Sequence, residues 1–391
     1  LFFQILDDKK ECTTIYCQGE LKKNTDFLNL THTWFPTSLF GDTKECAHIW
    51  CGGKSLNEAC PENLREEWCA LNDRAKAYFN SFAHARINLS DICFYDLVPS
   101  SFLLRFYEMK NKISQSVFDE SPKPLNYEFL HDLIIFLKKI ERQHLNLKIE
   151  SLNLYDEKIR NSIGKVKNYP PNITYDPWGT ATGRLTTKKN SFPILTLNKE
   201  LRSVLHPTND LFIELDYNAA ELRVLFGLLG QTQPAEDIHS WISKNIFGDK
   251  YDRNQTKKKV FSWLYNPKAK NKKLNEYLNR DMVYEKYYKN GCILTPYGRK
   301  LTTAPEKAVN FLVQSTTSDL FLTSAMKIDR ILDTKKSFIA FCIHDSLIID
   351  VAKEDKEILH FLTEQFSDTK FGKFKANVSA GKNFGSMRKI L

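Results

Sequence analysis

No apolar run in this 391-residue sequence is long enough to span a bilayer, and the N-terminus lacks the charged-then-apolar order of a signal peptide. These absences argue against a helical membrane protein and set a soluble, intracellular, cytoplasmic chain as the expectation. The cysteines lack the spacing of a tight zinc site. The two close pairs, Cys12 with Cys17 and Cys46 with Cys51, near His32 and His48, leave four residues between the thiols where such sites more often leave two. Seven of the nine cysteines precede residue 94, and C-T-T-I-Y-C reads as a strand. Buried, reduced thiols are therefore expected. Acid is scarce in one stretch: Lys250 to Lys273 holds nine Lys or Arg against Asp252 alone, nearly the whole net charge of +9. A cluster that dense repels itself unless a polyanion lies against it, so a nucleic-acid or phosphate partner competes with a plain solvated helix. The first residue is Leu1 rather than Met, which sets the expectation of a missing upstream part.

What is present is a composition 42 % hydrophobic, enough for a large core and two or three subdomains. Residues 1–95 read as a small α/β unit, with strands over Phe2–Leu6 and Thr13–Cys17, a Gln18-Gly19 turn, and a helix from Leu56 to Ala85 exposing Glu66, Glu67, Arg74 and Lys76. Residues 96–168 read as long amphipathic helices broken at Pro122 to Pro124.

Beyond Tyr169-Pro170-Pro171 the chain carries denser signals. In D-P-W-G-T-A-T-G-R-L-T-T, Asp176 to Thr187, a glycine lets the backbone approach a phosphate, hydroxyls donate to its oxygens and Arg184 supplies a charged fork. Asp210 to Gly230 alternates as a strand up to Asp216, then turns into a helix with Glu221 in its first turn, where a carboxylate suits the dipole. Arg253, Lys257, Phe261 and Tyr265 recur at steps of four and climb one side of a helix. Two cations followed by two aromatics suit a nucleoside triphosphate lying along that side, phosphates on the cations and base on the rings. Ile339 to Val351 reads as a hairpin of apolar strands with His344-Asp345 at its tip.

In this order the segments resemble family A DNA polymerases over roughly residues 169 to 391. D-Y-N-A-A-E-L-R resembles motif A, the R-x3-K-x3-F-x3-Y helix resembles motif B, and H-D resembles motif C. Thr182, Gly183 and Arg184 match the T-x-T-G-R-L-S-S motif that holds primer and template. Asp237-Ile238-His239 is similar to the D-I-H that opens the fingers, T-P-Y-G-R-K to the G-R-R turn near the primer, and Asn310-x3-Gln314 to the helix whose amides reach the minor groove.

The resemblance implies a right-hand α/β (α+β) fold: an antiparallel-sheet palm in 169–221 and 292–391, helical fingers in 222–291, a helical thumb in 96–168 and the small N-terminal domain in 1–95. It implies Asp216, Asp345 and the Tyr217 carbonyl as ligands of two Mg²⁺ ions. Lys257 would serve the leaving pyrophosphate, with Arg253, His239, Phe261, Tyr265 and Glu221 around the dNTP. Thr182, Arg184, Arg299, Asn310, Gln314 and His344 would touch primer–template DNA. Glu221, packed with Tyr265 beside the sugar, would exclude a ribose hydroxyl, and Phe261 in place of tyrosine implies discrimination against 3′-deoxy terminators. Asp7 and Asp8 would be a relic of a proofreading exonuclease, with no such activity expected.

Four departures stand out. Ser262 and Asn266 replace glycines of the family, Pro267 ends the helix, Glu306 holds the place of an arginine, and Ser346 follows Asp345 where glutamate is usual. H-D-S is the pattern of single-subunit RNA polymerases, so a ribonucleotide-tolerant or RNA polymerase is the nearest alternative, and a catalytically silent DNA-binding replisome protein the next. S-A-G-K-N-F-G-S-M, Ser379 to Met387, resembles the C-terminus of bacteriophage members. A monomer working in phage DNA replication with a helicase or processivity factor is the resulting expectation.

Overall fold

A hairpin opens the chain because Gln18 and Gly19 both take positive φ, 51° and 82°, the geometry that matches a two-residue loop to the twist of antiparallel strands. The computed structural model describes residues 1–7, 13–23, 29–37, 44–89, 92–149, 168–266 and 268–390. Asp8, Cys12 and Pro267, invoked above, lie outside them. Two compact units divide between Ile135 and Phe136.

In the first unit β1 (Phe3–Asp7), β2 (Thr14–Cys17) and β3 (Glu20–Lys23) form an antiparallel sheet in that order. Helix α1 (Glu62–His84) buries Trp68, Leu71, Ala75 and Phe82, a helical spacing. Helix α2 (Ser100–Glu120) buries Phe102, Leu103, Tyr107 and Ile113. These residues join Leu6 and Tyr16 of the sheet in one core. That shared core is why the unit runs past 95, where the sequence suggested a boundary. Asp7 is buried, at 7 % exposure.

Cys17, Cys46 and Cys60 are buried and Cys69 is exposed, all four as thiols outside any disulfide. Cys93 is disulfide-bonded, which corrects the expectation of reduced thiols throughout. The Cys46 thiol donates to the Trp34 carbonyl at 2.7 Å, and the Cys51 thiol to that of His48 at 3.5 Å. Among the described residues no helix is long and apolar enough to cross a membrane.

Helix α3 (Tyr127–Glu141) straddles the division. The second unit is built on five strands, β4 (Leu211–Tyr217), β5 (Phe338–Ile343), β6 (Ser346–Val351), β7 (Ala376–Gly381) and β8 (Arg388–Lys389), antiparallel in the order β5-β6-β4-β7-β8. Phe212, Ile213, Leu215 and Tyr217 of the central β4 are all buried, so both of its faces are covered. Its longer helices are α4 (Ala220–Leu228), α5 (Ile238–Asn245), α6 (Arg253–Tyr265), α7 (Arg280–Tyr287), α8 (Ala308–Leu332) and α9 (Leu359–Ser367). Helix α8 packs against α4 and α9 and buries residues on every side, as a central helix must. The Lys139 ammonium, near the end of α3, bonds Asp329 and Asp333 at the C-terminal end of α8, both at 2.8 Å.

Two backbone details place the ends of the central strands. Ala219, between β4 and α4, and His344, between β5 and β6, sit in the left-handed region at φ 53°, costing about 1–2 kcal/mol each in exchange for an abrupt reversal. Strand β5 lies at the sheet edge, and the Tyr175 hydroxyl closes that edge. It accepts from the Cys342 N–H at 3.0 Å and donates to the Cys342 carbonyl at 2.5 Å, within a buried environment. Tyr175→Phe strands both groups of a buried edge. It is expected to lower unfolding free energy by about 1–3 kcal/mol, read from urea denaturation midpoints against wild type.

Candidate active site

Strand pairing sets the chemistry at the end of β4. Asp216 lies opposite Ser346 of β6 on one side and Asn377 of β7 on the other. The Ser346 hydroxyl donates to its Oδ1 at 3.1 Å and the Asn377 amide to its Oδ2 at 3.2 Å. Burial, and then the charge of Asp345 from the neighbouring turn, push the Asp216 carboxyl up to about 6, against the pull of those two hydrogen bonds. Glu221 joins the same field. Burial raises its proton affinity, Asp345 adds to this, and Arg184 opposes it.

Tyr217, one residue on, points to the other face of the strand. Its hydroxyl donates to the Phe366 carbonyl at 2.6 Å and pairs with Ser324 at 2.8 Å, and its ring stacks on Phe366 at 4.1 Å. Only its backbone remains near the carboxylates. Among the described residues no three His, Cys, Asp or Glu side chains converge as a metal cage. Asp345 acts on Asp216 and Glu221 through its charge, and Asp216 alone has the hydroxyl and amide support.

Helix α6 starts at a capping box: Asp252 accepts from the Gln255 N–H, and the Gln255 side chain accepts in return. It buries Thr256, Val260, Trp263 and Leu264, which leaves Arg253, Lys257, Phe261 and Tyr265 along another side. The Phe261 and Tyr265 rings stack at 5.6 Å with planes 6° apart, and the Lys257 ammonium stands 5.7 Å from the Phe261 ring centre.

The Arg253 guanidinium donates to Asp237 at 2.8 Å. Asp237 also accepts from Asn218 at 2.8 Å, so Arg253 is tied through two side chains to the residue two past Asp216. The charge of Arg253 and these hydrogen bonds hold the Asp237 carboxyl far below the usual carboxylate range, although burial opposes them. Beneath lies Arg223, fully buried, donating to the carbonyls of Asn218, Pro234 and Glu236 at 2.9, 2.7 and 2.8 Å. Burial lowers its pKa to about 10. Arg223, Asn218 and Asp237 are the framework that sequence reasoning did not assign. The available signal was an arginine inside the otherwise apolar L-R-V-L-F stripe.

His239 differs from the expected phosphate contact. It is 2 % exposed, its ring lies 5.9 Å from that of Phe261, and its Nδ1 is buried without a partner. Burial above all, with Arg253 and Lys257 adding to it, lowers its pKa to about 4, so it is neutral at neutral pH.

The T-G-R turn rests on a buried ion pair. Arg299 bonds both oxygens of Asp319, at 3.0 and 2.7 Å, and Asp319 is wholly inaccessible. Gly183, at φ 75°, covers the guanidinium so closely that a Cβ would sit 2.5 Å from Arg299 Cζ, and Ser318 donates to its carbonyl at 2.9 Å. Arg299, expected at DNA, is therefore engaged in holding this turn, and Thr182 is buried at 6 % exposure. Arg184 is half-exposed and its guanidinium pairs with Glu221, so Glu221, expected beside Tyr265, has a cation instead. A buried carboxylate needs such a partner. Asn310, its Oδ1 buried and unpaired, lines a cleft of about 690 Å³ together with Tyr265, Arg280 and Lys307. Gln314 lies one helical turn on and half-buried, and His344 is exposed at the hairpin tip.

No protein-family model and no curated protein matches the chain. Among solved structures it is similar to the POL domain of Pol1 from M. smegmatis, in complex with DNA primer-template and dNTP. The identity is 16 % and the TM-score 0.48, over 85 % of this chain and 67 % of that one.

Two outcomes follow from the buried charges. Asp319→Ala leaves the Arg299 guanidinium buried and alone, which is expected to cost about 3–5 kcal/mol and is read from the shift in denaturation midpoint. His239 is neutral when folded and titrates near 6.5 when unfolded, so its contribution is complete above pH 6.5 and is lost as pH falls toward 4. The stability difference between wild type and His239→Gln should shrink by up to about 3 kcal/mol over that window in paired urea titrations.

Proposed function

We propose that this chain is a template-directed DNA polymerase, adding dNTPs to a primer 3′ end with release of pyrophosphate. The observation that carries the reading is the pairing of Asp216 with the charge of Asp345 at a strand end that Asn218 and Asp237 connect to Arg253 of α6. The donor set fits magnesium. It consists of hard carboxylate oxygens with the Tyr217 carbonyl adjacent, and the raised proton affinity of Asp216 marks a field short of positive charge. Two Mg²⁺ ions bound there would supply Lewis-acid activation of the primer hydroxyl and neutralise the triphosphate.

The remaining roles belong to the chain. Lys257 and Arg253 hold triphosphate oxygens, Arg253 exchanging the Asp237 carboxylate for phosphate, and Lys257 meets the charge that develops on departing pyrophosphate. The stacked Phe261 and Tyr265 give base and sugar a flat apolar wall, with neutral His239 beneath. Asn310 and Gln314 donate to minor-groove acceptors, which are nearly the same for every base pair. Arg299, through Asp319 and Gly183, orients the turn that presents Arg184 rather than touching DNA itself. In this reading the five-stranded sheet is the palm, α5 to α7 belong to the fingers, and the helices of 96–168 serve as thumb without an active exonuclease. The run at Ser379 to Met387, which resembles the C-terminus of bacteriophage members, is the ground for proposing a role in phage DNA replication.

One observation favours a ribonucleotide-tolerant variant of the same reaction: the Glu221 carboxylate is engaged by Arg184, leaving less of it to bar a 2′-hydroxyl. Competing dNTP and NTP on one primed template separates the two. Glu221→Ala should reduce the preference for dNTP at least about tenfold, a loss of about 1.4 kcal/mol of discrimination. Asp345→Asn is expected to cut primer extension at least about 100-fold, roughly 2.7 kcal/mol of barrier. Unimpaired extension by Asp345→Asn removes the metal role assigned here.

A further inference from the structure

Asparagine is depleted in strands, yet one is the second residue of β7. Asn377 is half-buried there, in a strand otherwise made of Ala, Val, Ser and Gly. The register sets it directly opposite Asp216, whose other neighbour is Ser346 of β6. Residues opposite one another in adjacent strands share a face of the sheet, with Cβ atoms about 4.5–5.5 Å apart. Ser346, Asp216 and Asn377 therefore form one rung of hydroxyl, carboxylate and amide.

The rung divides the two oxygens of Asp216 between its neighbours. The Ser346 hydroxyl donates to Oδ1 at 3.1 Å and the Asn377 amide to Oδ2 at 3.2 Å. A carboxylate plane otherwise turns freely, because its terminal torsion is broad and soft. One donor leaves the plane able to pivot about the bonded oxygen; a second, from the opposite side, stops it. The two donors are not equivalent in their support. Ser346 follows Asp345 directly and belongs to the same hairpin. Asn377 stands on a separate ladder, in which β7 is paired to β4 from Phe212 opposite Gly381 to Tyr217 opposite Ala376. The Asn218 N–H extends that ladder by donating to the Lys375 carbonyl at 2.9 Å. A lysine or arginine at 377 would cancel the charge of Asp216, and an apolar residue would leave its plane loose. The amide orients the carboxylate and leaves its charge available.

We infer that Asn377 is a positioning residue for divalent metal: its amide fixes the plane of the Asp216 carboxylate and so sets the affinity with which that carboxylate takes the ion. The inference rests on the polymerase reading for the use to which the metal is put. Ligating carboxylates depend on such outer hydrogen bonds, whose removal typically costs about 10–100-fold in metal affinity or activity.

The test compares Asn377→Val with Asn377→Thr in the full chain. The two replacements share one shape and both suit a strand, but only threonine keeps a donor, as Ser346 does from the equivalent place on β6. Mn²⁺ binding without DNA or nucleotide is read from the loss of the free-ion EPR signal, with Asp216→Ala setting the background from other carboxylates. Asn377→Val is expected to raise the Mn²⁺ dissociation constant at least about tenfold, and Asn377→Thr to restore most of the loss. In primer extension the Mg²⁺ concentration at half-maximal rate should rise in parallel for Asn377→Val, while the rate at saturating Mg²⁺ changes little. Unchanged Mn²⁺ affinity in Asn377→Val overturns the inference. An equal loss in Asn377→Thr does the same, since it assigns the effect to shape, and so does a wild type that binds no more Mn²⁺ than Asp216→Ala. A wild type whose Mn²⁺ binding depends on Asn377 but which extends no primer would instead refute the polymerase reading and leave the role of Asn377 standing.

Discussion

Carboxylates that repel one another at the end of a buried strand are the constraint on which the second unit is organised. Asp216 is placed by the ladders on both sides of β4, and its neighbours there are a hydroxyl and an amide rather than a cation. Hydrogen bonds of that kind orient a carboxylate without neutralising it. Among the described residues the only guanidinium bonded to the acidic group at this end is Arg184, and it bonds Glu221. The site therefore keeps a deficit of positive charge that the protein does not fill from within, a state that proteins otherwise avoid and that favours cation binding. The left-handed backbone at Ala219 and His344 adds to the cost of bringing those ends together.

Around this deficit the cations are arranged in two tiers. Arg223 and Arg299 are buried and spend their hydrogen bonds on backbone carbonyls and on Asp319. Their work is architectural, tying the loops at 218, 234–237 and 183 to the helices beneath. Arg253, Lys257 and the exposed lysines beyond them are surface groups held by single contacts or none. The first tier is fixed by buried hydrogen bonds, and the second stands at the surface, where the proposed function needs cations that can exchange partners.

Local periodicity carried the reading wherever contacts are local. The steps of four along α6, the alternation of β4 and the apolar hairpin of β5 and β6 are properties of adjacent residues, and each appears as an element in the structure. Contacts between distant segments were not legible. Asn377 reaches Asp216 from 161 positions away, and Tyr175 reaches Cys342 from 167. Arg299 was expected at DNA because T-P-Y-G-R-K resembles the family's turn near the primer, yet a carboxylate 20 residues on draws it inward. His239 was expected around the dNTP from its resemblance to the family's D-I-H, but burial, with the ring of Phe261 beside it, lowers its proton affinity. The division at 95 failed to anticipate the core shared by α1 and α2 for the same reason: side chains of the two helices choose each other by packing, not by order.

The contact between Arg253 and Asp237 acts as a threshold. A ligand that draws the guanidinium away must out-compete a carboxylate already hydrogen-bonded by Asn218 and Ser240. A monovalent anion offers no more charge than Asp237 does, so the exchange gains it little. A triphosphate offers several charges on one frame, and its gain persists after the exchange. The same balance works in reverse once the chain of phosphates is cut, since Asp237 stays within reach to reclaim its partner. In the proposed polymerase, an internal acid would thus tune a basic surface to ignore small anions and to let go of spent ones.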